Sequence, residues 1–161
     1  MPQRRRRLAL AAAALSLALA GTGCSYLNPV QTHEFYQAAD GTNEQLGPVG
    51  VRNAVVVVDE SGAGQFSTTL VNDSSEDASV ELTGLADGSD AFSHTVTVPA
   101  GGTVRLGSGE GAEQVPVSNL AVPAGAMMEL RVRAGDQETT MSLPVLDQTL
   151  EYYKSASDGG Q

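Results

Sequence analysis

The chain has one cysteine, Cys24, so no intrachain disulfide can form. It has only two histidines, His33 and His94, which leaves nucleophilic and metal catalysis short of parts. It contains no G-x-S-x-G elbow, no P-loop and no dinucleotide fingerprint. His33-Glu34 begins an H-E-x-x-H zinc pattern, but Gln37 stands where the second histidine belongs, and the missing ligand removes the geometry. Long apolar runs are also lacking. The longest, Leu8 to Ala20, has 13 residues, below the roughly 20 that a spanning helix needs. Basic residues are scarce, nine against nineteen acidic ones, and four of the nine are Arg4 to Arg7.

What is present begins with MPQRRRR, then LALAAAALSLALA, then GTGC. A basic stretch, an apolar stretch and a small-residue region are the parts of a signal peptide, here residues 1–23. Its removal leaves five basic residues against nineteen acidic ones, a net charge of −14. A surface that negative repels nucleic acid and anionic headgroups, both of which are bound mainly through basic residues, and so excludes nucleic acid as a partner. Cys24 falls directly after the signal. The region before it resembles the bacterial lipobox, with Gly23 small and Thr22 acceptable, although Gly21 stands where leucine is usual. That resemblance implies a diacylglycerol (palmitate-type) thioether on Cys24 and an extracytoplasmic protein anchored to the cell membrane. More than one acyl chain would be needed for stable anchoring. The other reading is ordinary cleavage after Ala18-Leu19-Ala20, leaving Cys24 a free thiol.

Residues 24–47 hold the cysteine and a tether with Asn-Pro and Asp-Gly turn signals and no sustained period. A flexible tether of that length reaches roughly 26 Å root-mean-square, at about 5.5 Å times the square root of residue number. From residue 48 the pattern is β. Val55 to Val58 form a run suited to a strand buried on both faces. Apolar residues then alternate with polar ones around Phe66 to Leu70, Val80 to Leu82, Phe92 to Val98, Val104 to Leu106, Met128 to Val132, and Thr139 to Leu143. Turn clusters separate these sets. Seven short strands with one apolar face each predict an all-β, antiparallel two-sheet sandwich over residues 48–146, with residues 147–161 as a tail. V-P-A-G at Val98 to Gly101 recurs at Val122 to Gly125. Proline at the second and glycine at the fourth position would suit a type I turn used twice.

Two constellations invite a metal reading. The acidic clusters Asp73 to Asp77 and Asp87 to Asp90 lack the ligand spacing of a calcium loop, and aspartates in turns usually serve the turn. His94 shares strand parity with Phe92, Val96 and Val98, which predicts a partly buried histidine or a ligand for copper. Met128 and Met141 have core parity, whereas Met127 points outward and its parity asks for another account.

A cysteine-anchored tether followed by DGTNEQLGPVGVRNAVVVVDE (Asp40 to Glu60) and STTLVNDSSED (Ser67 to Asp77), with PAG turns after Val98 and Val122, resembles the LpqE-type lipoproteins of actinobacteria. These in turn are similar to the PCu(A)C copper chaperones of the periplasm. The resemblance implies an immunoglobulin- or cupredoxin-like sandwich. The copper chaperones use a His-Met start, a distant Met and a closing His-x-Met, and this chain has neither His-Met nor His-x-Met. No copper ligand carries over by position, and fold alone does not establish function. The expectation is a noncatalytic envelope lipoprotein that binds an envelope protein partner and needs no cofactor. The alternative is an extracytoplasmic copper-handling protein with a degenerate site near His94 and Met127.

Overall fold

The structure, a computed structural model, describes residues 3–14, 39–118, 120 and 122–149. Cys24, the tether through residue 38, His33 and the tail from residue 150 lie outside the described residues. Two compact units divide at Ala38 and Ala39. The described part of the first is a helix over residues 3–14. Among the described residues no helix is long and apolar enough to cross a membrane.

The second unit is built of strands: β1 (Thr42–Leu46), β2 (Val49–Val58), β3 (Gly64–Asn72), β4 (Ala78–Ala86), β5 (Ser89–Val98), β6 (Thr103–Leu106), β7 (Pro116–Val117), β8 (Met127–Ala134) and β9 (Gln137–Asp147). Their order is β5-β4-β8-β9-β2-β3-β6, with β1 added to β2 and β7 to β3. Two sheets share β9. Its first part, Gln137 to Pro144, pairs antiparallel with β8, and Val145 to Asp147 then pair parallel with Val56 to Val58 of β2. Pro144 stands at the change-over, where its missing N–H costs no ladder bond. The expected all-β sandwich is therefore present. The valine run falls on β2 and the six alternating sets on β3, β4, β5, β6, β8 and β9, and the strand pairings are antiparallel except where β9 joins β2.

Two departures have local causes. β1 lies inside the span read as tether. T-N-E-Q-L has one apolar residue and shows no alternation, yet it pairs with the first half of β2 and buries Leu46. One edge of β2 is thus shared, β1 taking Val49 to Ala54 and β9 taking Val56 to Val58. Asn53, at φ 54°, marks the join. Its amide donates to Asn43 Oδ1 (2.8 Å), and its own Oδ1 accepts from the Gly41 amide (2.7 Å). The V-P-A-G turns also shift by one residue. Gly102 N donates to Pro99 O (2.9 Å) and Ala126 N to Pro123 O (3.2 Å), so proline is the first turn residue and glycine the third. Gly101 (φ 59°) and Gly125 (φ 87°) supply the positive φ that a type II turn requires there.

The inner faces of the two sheets make one core, from Leu46 to Val145, all within this unit. Phe66, Leu70, Val80, Leu82, Leu130 and Leu143 are fully buried, and each contributes roughly 1.5–3 kcal/mol by leaving water. A unit with its own complete core is one that folds alone. The Phe66 and Phe92 rings meet at 4.9 Å, tilted by 33°. Gly84 permits this: a Cβ there would lie 2.1 Å from Cε1 of Phe92. The side chain of Asn72 ties the end of β3 to the turns at the ends of β4 and β5. Its Nδ2 donates to Glu76 O (2.7 Å), Val98 O (3.1 Å) and Pro99 O (3.2 Å), and its Oδ1 accepts from the Ser74 amide (3.0 Å) and hydroxyl (2.7 Å).

Candidate functional site

His94 sits in mid-β5 on the inward side, flanked in parity by Phe92 and Val96, with its side chain 19% exposed. Its Nε2 lies 3.2 Å from Glu113 Oε1. The pair lacks hydrogen-bond alignment, so the buried nitrogen has no hydrogen-bond partner. Glu113 is held in place through its backbone. Its amide donates to Arg105 O (3.0 Å) and its carbonyl accepts from Gly107 N (2.8 Å), fixing the loop after β6 back onto the end of that strand.

Met127 opens β8 and is 56% exposed, while Met128 and Met141 are buried in the core. His94 lies opposite Leu82, and Leu82 lies opposite Val132. Met127 is therefore two strands away and five residues along. That is about 17 Å in the strand direction at roughly 3.4 Å per residue. The two residues also face opposite sides of the sheet, so the structure does not bring His94 and Met127 into one coordination sphere.

The acidic clusters act in turns. Asp77 Oδ1 accepts from the Ala100 amide (3.0 Å). Asp87 (φ 49°) and Gly88 (φ 77°) form the two-residue hairpin loop between β4 and β5, where both central residues need positive φ. Among the described residues no group of three or more His, Cys, Asp or Glu side chains is placed to hold a metal ion.

A concavity lies elsewhere, at the end of the sandwich where β2 and β9 finish side by side. It is an open cleft of about 940 Å³. Val58, Leu120 and Val122 give it an apolar floor, and Asp59, Glu60 and Asp147 give it an acidic rim. The parallel register places Asp147 opposite Val58, next to Asp59. Each aspartate is clamped by an Asp-x-Ser/Thr turn. Asp59 Oδ1 accepts from the Ser61 hydroxyl (2.7 Å) and amide (2.8 Å) and from the Ala63 amide (3.1 Å). Asp147 Oδ1 accepts from the Thr149 amide (3.0 Å) and from its hydroxyl. The Ser61 hydroxyl holds the Asp59 carboxyl below the usual carboxylate range, and the Thr149 hydroxyl does the same for Asp147. Both are therefore anions at any pH near neutral. Gly62 (φ 80°) closes the wall by accepting a hydrogen bond from the Leu120 amide (3.1 Å), and a Cβ at Gly62 would lie 2.9 Å from Leu120 O.

Sequence reasoning missed Glu113 and the whole cleft. The signal for the cleft was the recurrence of Asp-x-Ser/Thr straight after a buried strand, at Asp59 to Ser61 and at Asp147 to Thr149.

No family model matches the sequence, and no curated protein matches it. Solved structures do match in fold. An apo PmoF2 PCuAC domain aligns with a TM-score of 0.51 at 13% identity, over 68% of this chain and 98% of that domain. The copper-bound PCuAC domain from PmoF2 aligns with a TM-score of 0.49 at 13% identity, over 66% and 98%. The chain is similar in fold to PCuAC domains, and at this identity the likeness concerns fold alone.

Proposed function

We propose that the chain is a noncatalytic binding module of the cell envelope, exported by residues 1–23, lipid-anchored through Cys24 and related to the LpqE-type lipoproteins. Its partner-facing site is the cleft at the ends of β2 and β9. The observation that carries this reading is the cleft itself. It joins an apolar floor to carboxylates already fixed in orientation, which is how a site built for binding conserves affinity. The cysteine falls where a lipid anchor would follow an export signal, and the charge of −14 keeps the body away from anionic headgroups.

The anchor is tested by Cys24→Ser. The substituted protein is expected in the medium or as an uncleaved precursor, and unchanged retention in the membrane fraction refutes lipidation. The cleft is tested by cross-linking in cells from a photoreactive residue placed at Glu60. A discrete adduct is expected there, and its absence at Glu60 alongside adducts from sites on the outer sheet faces would move the site elsewhere.

A second reading, extracytoplasmic copper handling, is favoured by the PCuAC-like fold and by the unpartnered Nε2 of His94. The donors around that nitrogen fit Cu(I) poorly. A carboxylate is its near neighbour, whereas soft Cu(I) prefers thioether and thiolate ligands, and Met127 faces away. Titration of residues 25–161 with Cu(I) against a competing chelator separates the readings. Submicromolar binding abolished by His94→Ala would replace the first with the second.

A further inference from the structure

We propose that the occupant of the cleft is a protein segment carrying a lysine or arginine beside an apolar side chain; this rests on the binding-module reading and names the chemistry of its partner. Three features of the cleft select it. Among the described residues of the lining every formally charged side chain is an acid, Asp59, Glu60 or Asp147, and none is Lys, Arg or His. An anionic ligand would meet uncompensated repulsion there, while a cation finds carboxylates in place. The floor of Val58, Leu120 and Val122 then asks for an apolar contact a few ångströms from the cation, which a hydrated metal ion cannot supply.

Size points the same way. About 940 Å³ is at the upper end of the volumes that hold one small ligand, and the cleft is open to solvent, so it admits several neighbouring side chains of a chain passing across it. Met127, three residues beyond the wall residue Ala124, adds an exposed thioether at the same end of the sandwich. Flexible methionines of this kind suit contact with varied apolar side chains. This gives the outward-pointing Met127 the account that copper ligation does not.

Pre-ordering of the rim also matters. Asp59 and Asp147 each hold Oδ1 on the backbone of their own turn. The carboxylates therefore lose little rotamer freedom when a cation arrives. The net negative charge of the body attracts cationic partners to the protein at low ionic strength, and the rim carboxylates then distinguish the cleft from the rest of the surface.

The test uses residues 25–161 and three short fluorescent peptides of identical length, alternating Leu with Lys, with Gln or with Glu, followed by anisotropy. The Leu-Lys peptide is expected to bind, the Leu-Glu peptide not to bind, and the Leu-Gln peptide to bind more weakly by about tenfold or more, equivalent to about 1.4 kcal/mol. Raising salt from about 50 mM to about 300 mM should weaken the Leu-Lys complex severalfold. Combined Asp59→Asn and Asp147→Asn should weaken it about tenfold. Combined Glu129→Gln and Glu138→Gln, which removes the same charge from the outer face of β8 and β9, should leave it within about twofold. Equal binding of the Leu-Lys and Leu-Gln peptides overturns the cationic partner but leaves the cleft as a binding site. Equal weakening by the two double variants overturns the cleft assignment and reduces the effect to overall charge.

Discussion

Asn72→Asp replaces the amide that joins β3 to the turns at the ends of β4 and β5 with a group of the same shape and no donor. Asn72 is fully buried and its Nδ2 donates to three carbonyls, of Glu76, Val98 and Pro99, of which the Val98 bond is itself buried. The introduced carboxylate would face all three oxygens. Leaving the buried acceptor unpaired costs about 1–3 kcal/mol. Crowding a charge against carbonyl dipoles adds a similar amount, for a total of about 2–6 kcal/mol near neutral pH. Against a stability of about 5–15 kcal/mol for a domain of this size, the midpoint of thermal unfolding should fall by about 10–20 °C. The pH dependence gives a second check. Burial and the carbonyls raise the introduced carboxyl above its unfolded value of about 3.9, so the protein binds more protons folded than unfolded. The destabilisation then grows as pH rises above that unfolded value, and it shrinks below about pH 4, where the acid is neutral and one donor returns. Urea unfolding from pH 4 to pH 7 measures both effects. A variant within about 1 kcal/mol of the parent at pH 7, with no dependence on pH, would refute this account of the tie.

Three further outcomes follow from the geometry. Gly84→Ala drives a methyl into the Phe92 ring and should cost about 1–3 kcal/mol in urea unfolding, together with a change in near-ultraviolet circular dichroism from the displaced Phe66–Phe92 pair; an unchanged spectrum and midpoint would contradict the close approach. Asp59 and Asp147 have carboxyls depressed on folding, so they contribute stability above the ordinary carboxylate range that is lost as pH falls through their lower folded values. The acid limb of the stability profile should therefore flatten in Asp59→Asn and in Asp147→Asn, and a limb that stays equally steep would deny the hydroxyl clamps a role. Gly62→Ala combines a strained φ with a clash on Leu120 O, and should perturb amide resonances along the cleft wall before it alters the far end of the sandwich.

Alternation in the sequence was a good guide wherever a strand is wet on one face. Met127 to Ala134 and Phe92 to Val98 alternate residue by residue, and so do the structure's buried and exposed positions there. The run Val55 to Val58 reads as buried on both faces, and all four valines are buried in a strand paired on both edges, by β3 and β9. β1 escaped notice because its side chains are mostly polar and the backbone of β2 holds it in place. β7 is too short, at two residues, to carry a period at all. The turn frames were misjudged by one residue because proline suits more than one turn position, while the positive φ of the following glycine decides the type. At the candidate site the limit was distance along the chain. The parity of His94 is local and legible, but its neighbour Glu113 comes from a glycine-rich loop with no period. The cleft needs Asp59 and Asp147 side by side, and that proximity exists only through a three-residue parallel pairing between strands remote in sequence.

That pairing also sets the mechanics of the site. Val56 and Val145 are fully buried, so the ladder beneath the cleft belongs to the core and opens only at a cost near that of global unfolding. The rim, by contrast, is made of the turn after β2 and the residues after β9, both held by local hydrogen bonds in contact with water. A ligand entering from the open side would therefore adjust the rim without disturbing the floor. Since β9 runs through both sheets, force on Asp147 is borne by β8 and β2 together and does not fall on a single edge. Hydrogen exchange distinguishes the two layers: the amides of Val145 and Leu146 should be among the slowest in the sandwich, while those of Ser61 and Thr149, protected only by local hydrogen bonds to Asp59 and Asp147, should exchange faster and slow further when the cleft is occupied. Equal protection of floor and rim in the free protein would mean that the cleft moves as one piece, and the pre-ordered carboxylates would then owe their orientation to the core and not to their own turns.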